Sequence, residues 1–226
     1  KQTEIRNVKT EASRFIRDQA GKTTVSQISQ TFTYDKRDNR NNPTEGFVVS
    51  LTTDLAGLGG DTRLARARVK SGYYMPLFED QVLSFLFQGG HVLGFGQDVG
   101  IAERFFVGGQ QFRGFSNSGL GPRDINTSDA LGGNTFYIGT AELTFPIGLP
   151  EGLGFKASVF TDIGSLWNID SSGSDIFDSS AIRVAAGAGL GWSTAFGLIR
   201  IDLTTALLKE DRDETEFVRF SFGTNF

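Results

Sequence analysis

The chain has 226 residues, with 22 Lys/Arg against 26 Asp/Glu and a net charge of -4 spread along its length, so it carries no basic patch of the kind that marks nucleic-acid binding. It contains no cysteine, which excludes disulfide scaffolds, thiolate metal sites and cysteine nucleophiles, and no run approaches the roughly 18 apolar residues of a spanning helix. Twenty-one Phe and 29 Gly beside one Met suit a membrane β-barrel, where lipid-facing and lumen-facing residues alternate and dilute the hydropathy signal.

The N-terminus, "KQTEIRNV", has neither an initiator Met nor an apolar signal region, so the chain reads as mature or truncated. No composition shift marks a linker, and one domain is expected. Residues 11–20, "EASRFIRDQA", favour a short helix that Gly21 would end as its C′ residue.

From there the pattern has period two. Phe47, Val49, Leu51 and Leu55 share one face, opposite Ser50, Thr52 and Asp54. Ala65, Ala67, Val69 and Tyr73 oppose Arg66, Arg68 and Lys70, which puts three cations on one wall. Leu83, Phe85, Phe87, Leu93 and Phe95 oppose Ser84, Gln88, Gly90 and Gly94, and Ile199, Ile201, Leu203 and Leu207 oppose Arg200, Asp202 and Thr204. Nine strands are predicted, at about 25–35, 46–56, 62–75, 81–96, 134–145, 154–164, 181–194, 197–208 and 216–226. Thr3 to Val8 is a candidate fragment of a tenth, because an antiparallel barrel closes on an even number.

Compact joints at Pro43–Gly46, Pro76–Asp80, Pro146–Gly152 and Ala195–Gly197 take turns with polar loops, two of them long, at 97–133 and 165–180. Short turns at one end and long loops at the other are the habit of outer-membrane barrels. A soluble β-sandwich would also alternate, but it would not keep charges on the inward faces and apolar residues with terminal aromatics such as Tyr73, Trp192 and Phe226 on the outward ones. The fold class is therefore all-β, an antiparallel transmembrane β-barrel of about nine to ten strands.

The loop at 97–133 far exceeds the usual connection length, a mark of function or disorder. It contains "FFVGGQQFRGF", in which Gly108 and Gly109 permit turns before Arg113, Gly114 and Phe115. The two strands that follow carry Glu142 and Asp162 on their inward parity. The last residues, "FVRFSFGTNF", alternate Phe220, Phe222 and the terminal Phe226 with polar positions, and Gly223 loosens the strand end.

These motifs, with "LGGN" at 131–134, "AELTFP" at 141–146 and "FTDIGSLW" at 160–167, resemble the BamA superfamily of outer-membrane barrel-assembly proteins, whose relatives include mitochondrial Sam-type and chloroplast Toc-type barrels and two-partner secretion transporters. The resemblance spans roughly residues 28–226. It implies that the long loop folds back into the lumen with Arg113, Gly114 and Phe115 at its tip, and that Glu142 and Asp162 receive the arginine. It implies that the last strand kinks at Gly223, and that Phe220, Phe222 and Phe226 belong to the C-terminal signal of outer-membrane barrels; Thr224 departs from that pattern.

The same resemblance implies a C-terminal barrel portion in the bacterial outer membrane, with further strands and periplasmic domains upstream. The implied activity is folding and insertion of other β-barrels without ATP or cofactor, through a seam at the final strand. Implied partners are the lipid bilayer and lipopolysaccharide, nascent outer-membrane β-barrel substrates and accessory assembly lipoproteins. A Tam-type or two-partner-secretion translocator shares the loop, and a passive diffusion porin would use Arg66 and Arg68 as a selectivity lining.

Other motifs carry less. "GFGQDVG" at 94–100 and "GAGLGW" at 187–192 have nucleotide-loop glycine spacing but no helix to follow, and suit barrel-wall glycines better. His91 is the single histidine and reads as interfacial. "NIDSSGSDIFD" at 168–178 lacks the Gly and Glu of a calcium loop, and "KEDRDETE" at 209–216 reads as an exposed hairpin tip. No nucleophile–base constellation emerges, so no enzymatic chemistry, cofactor or metal is expected.

Overall fold

The computed structural model describes residues 2–223 apart from 79, 172, 195 and 196. Ten strands form one antiparallel meander: β1 (Gln2–Ile5), β2 (Gly21–Asp35), β3 (Gly46–Gly60), β4 (Leu64–Phe78), β5 (Gln81–Gly94), β7 (Thr135–Pro146), β8 (Phe155–Trp167), β10 (Arg183–Thr194), β11 (Gly197–Leu208) and β12 (Val218–Gly223). Two further strands, β6 (Arg123–Asp124) and β9 (Ile176–Phe177), pair with each other between the long loops. Each meander strand pairs with its neighbours in register, as in Thr140↔Asp162 between β7 and β8 and Gly187↔Phe160 between β10 and β8.

The period-two pattern has the physical meaning expected of it. Phe47, Val49, Leu51, Leu55, Tyr73, Phe85, Phe87, Trp192, Ile201, Leu203, Phe220 and Phe222 stand exposed on the outer face, while Asp54, Ser158, Asp162, Asp202, Thr204 and Ser221 are buried on the inner one. An outer surface so apolar is stable only against lipid. The sheet curls around a lumen, and side chains far apart in strand order meet across it: Arg200 on β11 donates to Glu142 on β7 at 2.8 Å.

The buried apolar core lies between the inner wall and the long loop. Val107, Phe112, Phe115 and Leu120 of the loop pack with Phe136, Ile138, Leu166 and Ala185 of the wall, and a second cluster joins Val25, Ala56, Leu64 and Val92 to Val99. Burying Phe, Leu and Val here contributes about 1.5–3 kcal/mol per side chain, which is why this loop is folded despite its length.

All nine predicted strands are present, with β2 beginning four residues earlier, at Gly21, and β4 running through Pro76 to Phe78; the ninth, predicted over 216–226, begins at Val218, and its last three residues lie outside the described ones. Residues 2–5 form a tenth by pairing with Gly21–Thr24. The predicted helix over 11–20 shrinks to α1 (Arg14–Arg17), because Ser13 caps it, accepting from the Phe15 N–H at 3.2 Å, and is itself fixed by Asp124 and Asp129. Gly21 is not its C′ residue: α1 ends at Asp18, and Gly21, at φ 128, opens β2.

The acidic run at 209–216 is the hairpin tip between β11 and β12, with Lys209, Asp211, Glu214 and Thr215 exposed as expected, and it is also anchored. Asp213, its side chain 1% exposed, pairs with Arg183, Glu214 pairs with Arg123, and Glu216 with Arg219. In the stretch at 168–178, Asp170 accepts from the Val99 N–H, Asp175 pairs with Arg14, and Asp178 caps the amides of Asn168 and Ile169. His91 faces outward, its Nδ1 2.8 Å from Thr135 Oγ1.

Candidate functional site: a loop latched inside the barrel

The loop between β5 and β7 turns inward after a single 3-10 turn at Ile101–Glu103. Isolated bridges Phe105↔Gly133 and Val107↔Leu120 fold it into a ribbon whose tip is residues 110–115. Two glycines make that shape possible: Gly108 takes φ 137 with Ser116 O where a Cβ would stand, and Gly109 takes φ 66 against the Asn117 side chain. Gly114, at φ 86, sits so close to β10 that a Cβ would lie 2.8 Å from that of Ala185.

Arg113 then points at the wall. Its Nε and Nη2 donate to the two oxygens of Asp162 at 2.9 and 2.8 Å, its backbone N–H donates to the same carboxylate at 3.1 Å, and Nη1 donates to Glu142 Oε2 at 2.6 Å. Thr140 adds a fourth bond to Asp162, at 2.7 Å. The guanidinium carbon lies 3.3 Å from the centroid of the Phe160 ring, a stacked geometry that only arginine among the cations supplies. Burial works against the charge, but the hydrogen bonds and field of Asp162, with those of Glu142, hold the Arg113 cation above its ordinary value. Arg113 is a fixed cation and a poor proton donor.

Several participants carry no motif of their own. Arg200 on β11 donates to Glu142 at 2.8 Å, to Asp202 at 2.8 Å and to Ser158 at 3.0 Å, so Glu142 bridges two cations. Beyond Arg183, β10 makes room by presenting small residues inward: a Cβ on Gly189 would stand 2.4 Å from Asp202 Oδ1 and 3.0 Å from Ser158 Oγ, and one on Gly187 would meet Leu203 O and Phe160. The alternation of 185–192 signals bare inner positions, but not what fills them.

A second attachment has the opposite polarity. Glu103 of the loop accepts from Arg66 on β4 at 2.5 Å, Arg66 also donates to the Glu103 carbonyl at 2.9 Å, and Asp54 on β3 lies 3.8 Å from Arg66 and 3.1 Å from Arg68. Arg66 and Arg68 therefore face carboxylates and do not form a bare cationic lining. Arg66→Glu is expected to loosen the start of the loop by about 3 kcal/mol, because it leaves Asp54 and Glu103 buried beside a like charge. Faster proteolysis near Glu103, reversed by adding Glu103→Arg, is the result that checks it; unchanged proteolysis in Arg66→Glu counts against this attachment.

Of the C-terminal residues, Phe220 and Phe222 face outward, opposite Ile201 and Ile199 of β11, and Gly223 lies opposite Leu198. Phe226 lies outside the described residues. Among the described residues β12 pairs with β11 alone and β1 with β2 alone, so these are the two ends of the strand order.

With that geometry in place, the comparisons are specific. The Omp85 superfamily domain matches residues 1–226. The chain belongs to the Omp85 superfamily. Among its Omp85 relatives, the outer membrane protein assembly factor BamA of Neorickettsia risticii is 38% identical over 224 residues, covering 98% of this chain and 30% of that protein. BamA of Nitratidesulfovibrio vulgaris is 30% identical, covering 97% of this chain and 28% of the relative. The human sorting and assembly machinery component 50 homolog is 30% identical over 167 residues, covering 70% of this chain and 35% of that protein.

The crystal structure of BamA from Haemophilus ducreyi lacking POTRA domains 1-3 superposes with a TM-score of 0.79 at 22% identity, over 88% of this chain and 42% of that one, and so shares the fold. The chain spans less than a third of the length of the two BamA relatives, and their resemblance covers 98% and 97% of it.

Proposed function

We propose that this chain is the C-terminal part of a barrel that folds other β-barrel proteins and inserts them into the bacterial outer membrane. The observation that carries the reading is the latched loop: a barrel whose lumen is occupied by its own loop, ion-paired to both walls, is built to hold a conformation and not to pass solutes. The two BamA relatives, assembly factors by name, support the same reading, as does their extent over nearly the whole chain.

The physical logic is one of backbone hydrogen bonds. A strand edge facing lipid leaves N–H and C=O groups without water, at a cost of several kcal/mol per group. A barrel whose seam opens at β12 offers that edge to an incoming strand, which pairs by β-augmentation and satisfies both. No bond is made or broken and no cofactor takes part. Phe220 and Phe222 keep the seam in the bilayer, and Gly223 eases its parting. In this reading the whole protein continues into further strands and periplasmic domains, where accessory assembly lipoproteins bind, and its outer face meets lipid and lipopolysaccharide.

The test is reconstitution of the full-length protein in liposomes with a denatured outer-membrane β-barrel substrate, followed by heat-modifiable gel migration. Folding faster than in protein-free liposomes is the expected outcome. Equal rates, together with a large single-channel conductance while the loop is in place, would overturn assembly in favour of a porin.

A further inference from the structure

We infer that the tip of the long loop is clasped by its backbone to the segment that enters β12, so that seam opening and loop release are one linked event. The functional half of this inference rests on the assembly reading above; the clasp itself rests on geometry alone.

The hydrogen bonds are those of a short antiparallel ribbon. Phe115 bridges Thr215, the Ser116 N–H donates to Glu214 O at 2.9 Å, and the Glu216 N–H donates to Gly114 O at 3.0 Å. The Glu214 N–H donates to Gly119 O at 2.7 Å, closing the loop side of the ribbon. One residue further along the hairpin, Phe217 O accepts from the Thr204 N–H at 2.8 Å, and regular β11–β12 pairing begins at Val218. Buried Arg123 reinforces the clasp with a 2.8 Å bond to the Glu214 carboxylate, and Arg212 reaches back to Ile125 O at 3.3 Å.

What makes this a linkage is how few residues separate its ends. Arg113 is held by Asp162 on β8, and the very next residue, Gly114, holds Glu216, two residues before β12 starts. Gly114 is wedged against Ala185 of β10, and Phe115 is wholly buried, so the tip has no slack with which to absorb a displacement. If β12 shifts as its free edge opens, the 214–216 segment that leads directly into it moves with it, and the amide of Ser116 loses its partner. The closed seam and docked loop therefore stabilise each other, and by linkage the loosening of either loosens the other by the same factor.

These 226 residues contain no cysteine, so a disulfide trap placed here needs only upstream cysteines, where present, replaced. In the full-length protein in liposomes, Ser116→Cys with Glu214→Cys is expected to crosslink on oxidation and to slow substrate assembly about tenfold or more, with reductant restoring the rate that the same double variant shows before oxidation. A crosslinked protein that assembles at the unmodified rate overturns the inference, and so does a pair that fails to crosslink.

A second measurement needs no substrate. Arg113→Ala is expected to speed hydrogen exchange at the Glu214 and Glu216 amides about tenfold, the local signature of an opened clasp, and unchanged exchange there would sink the inference. If the unmodified protein assembles nothing, the assembly reading falls, while the exchange arm still decides the clasp.

Discussion

Arg113→Glu is expected to free the loop from the wall and abolish barrel assembly. The substitution removes a cation that satisfies Asp162, 1% exposed, and half-satisfies Glu142, and it sets a third carboxylate between them. Removing one partner of a buried ion pair typically costs about 3–5 kcal/mol because the other is left desolvated and uncompensated, and the reversed charge adds repulsion. Arg200 still faces Glu142, so the wall is not stripped of cations, but among the described residues Asp162 retains only Thr140 as a side-chain partner.

The measurement is paired: protease cleavage within 97–133, and the substrate assembly rate. Adding Asp162→Arg restores one attraction in the opposite sense and is expected to recover part of both. Recovery is incomplete because an arginine at 162 would also lie near the Arg200 side of the network and cannot reproduce the stacking of Arg113 on Phe160. Normal assembly by Arg113→Glu alone would show that the ion pairs do not govern activity.

Phe115→Ala acts on the apolar half of the same tip. Phe115 is fully buried, edge-on to Phe112 with ring centroids 5.0 Å apart, in a cluster that reaches from Val107 to Ala185. Truncating a buried Phe costs about 3–5 kcal/mol, part transfer and part cavity. Backbone pairing to Thr215 and a rigid wall limit how far the site can collapse, which puts the expectation at the upper end. The readout is the temperature at which the folded, fast-migrating band is lost. Phe115→Leu, which refills most of the volume, is expected to regain most of that temperature. Equal midpoints for the parent and the Ala variant would show that the ring is not part of the core.

The wall was easy to read and the plug was not. A strand whose two faces meet lipid and lumen writes its parity directly into the sequence, so Phe47–Leu55 and Val218–Phe222 could be assigned sides from alternation alone. Asp162 and Glu142 were legible because their parity was fixed by neighbours such as Val159 and Leu143, and because the Arg-Gly-Phe triplet resembled a known signature. Arg200, Glu103 and Arg66 were not, since a charge on an inward face looks the same whether it meets water or a buried partner.

Local signals misled where tertiary contacts prevailed. Helix propensity over 11–20 was overruled once Ser13 was tied to Asp124 and Asp129 in the loop. The anchoring of the acidic run at 209–216 was hidden because its arginine partners, at 123 and 183, lie far away in sequence.

The bare inner face of β10 ties the heredity of the wall to that of the loop. Gly189 leaves space for Asp202 and Ser158 and Gly187 for the Leu203 carbonyl and Thr204 of β11, whereas Ala185 leaves space for Gly114 of the loop. A larger residue at 185 meets Gly114 only while the loop is docked, whereas a side chain at 114 is strained at φ 86 whatever stands at 185. A lineage whose loop no longer docked would lose the constraint at 185 first. In such a lineage the spread of side-chain sizes at 185 would widen before that at 189, an order of decay that a comparison of sequences can read.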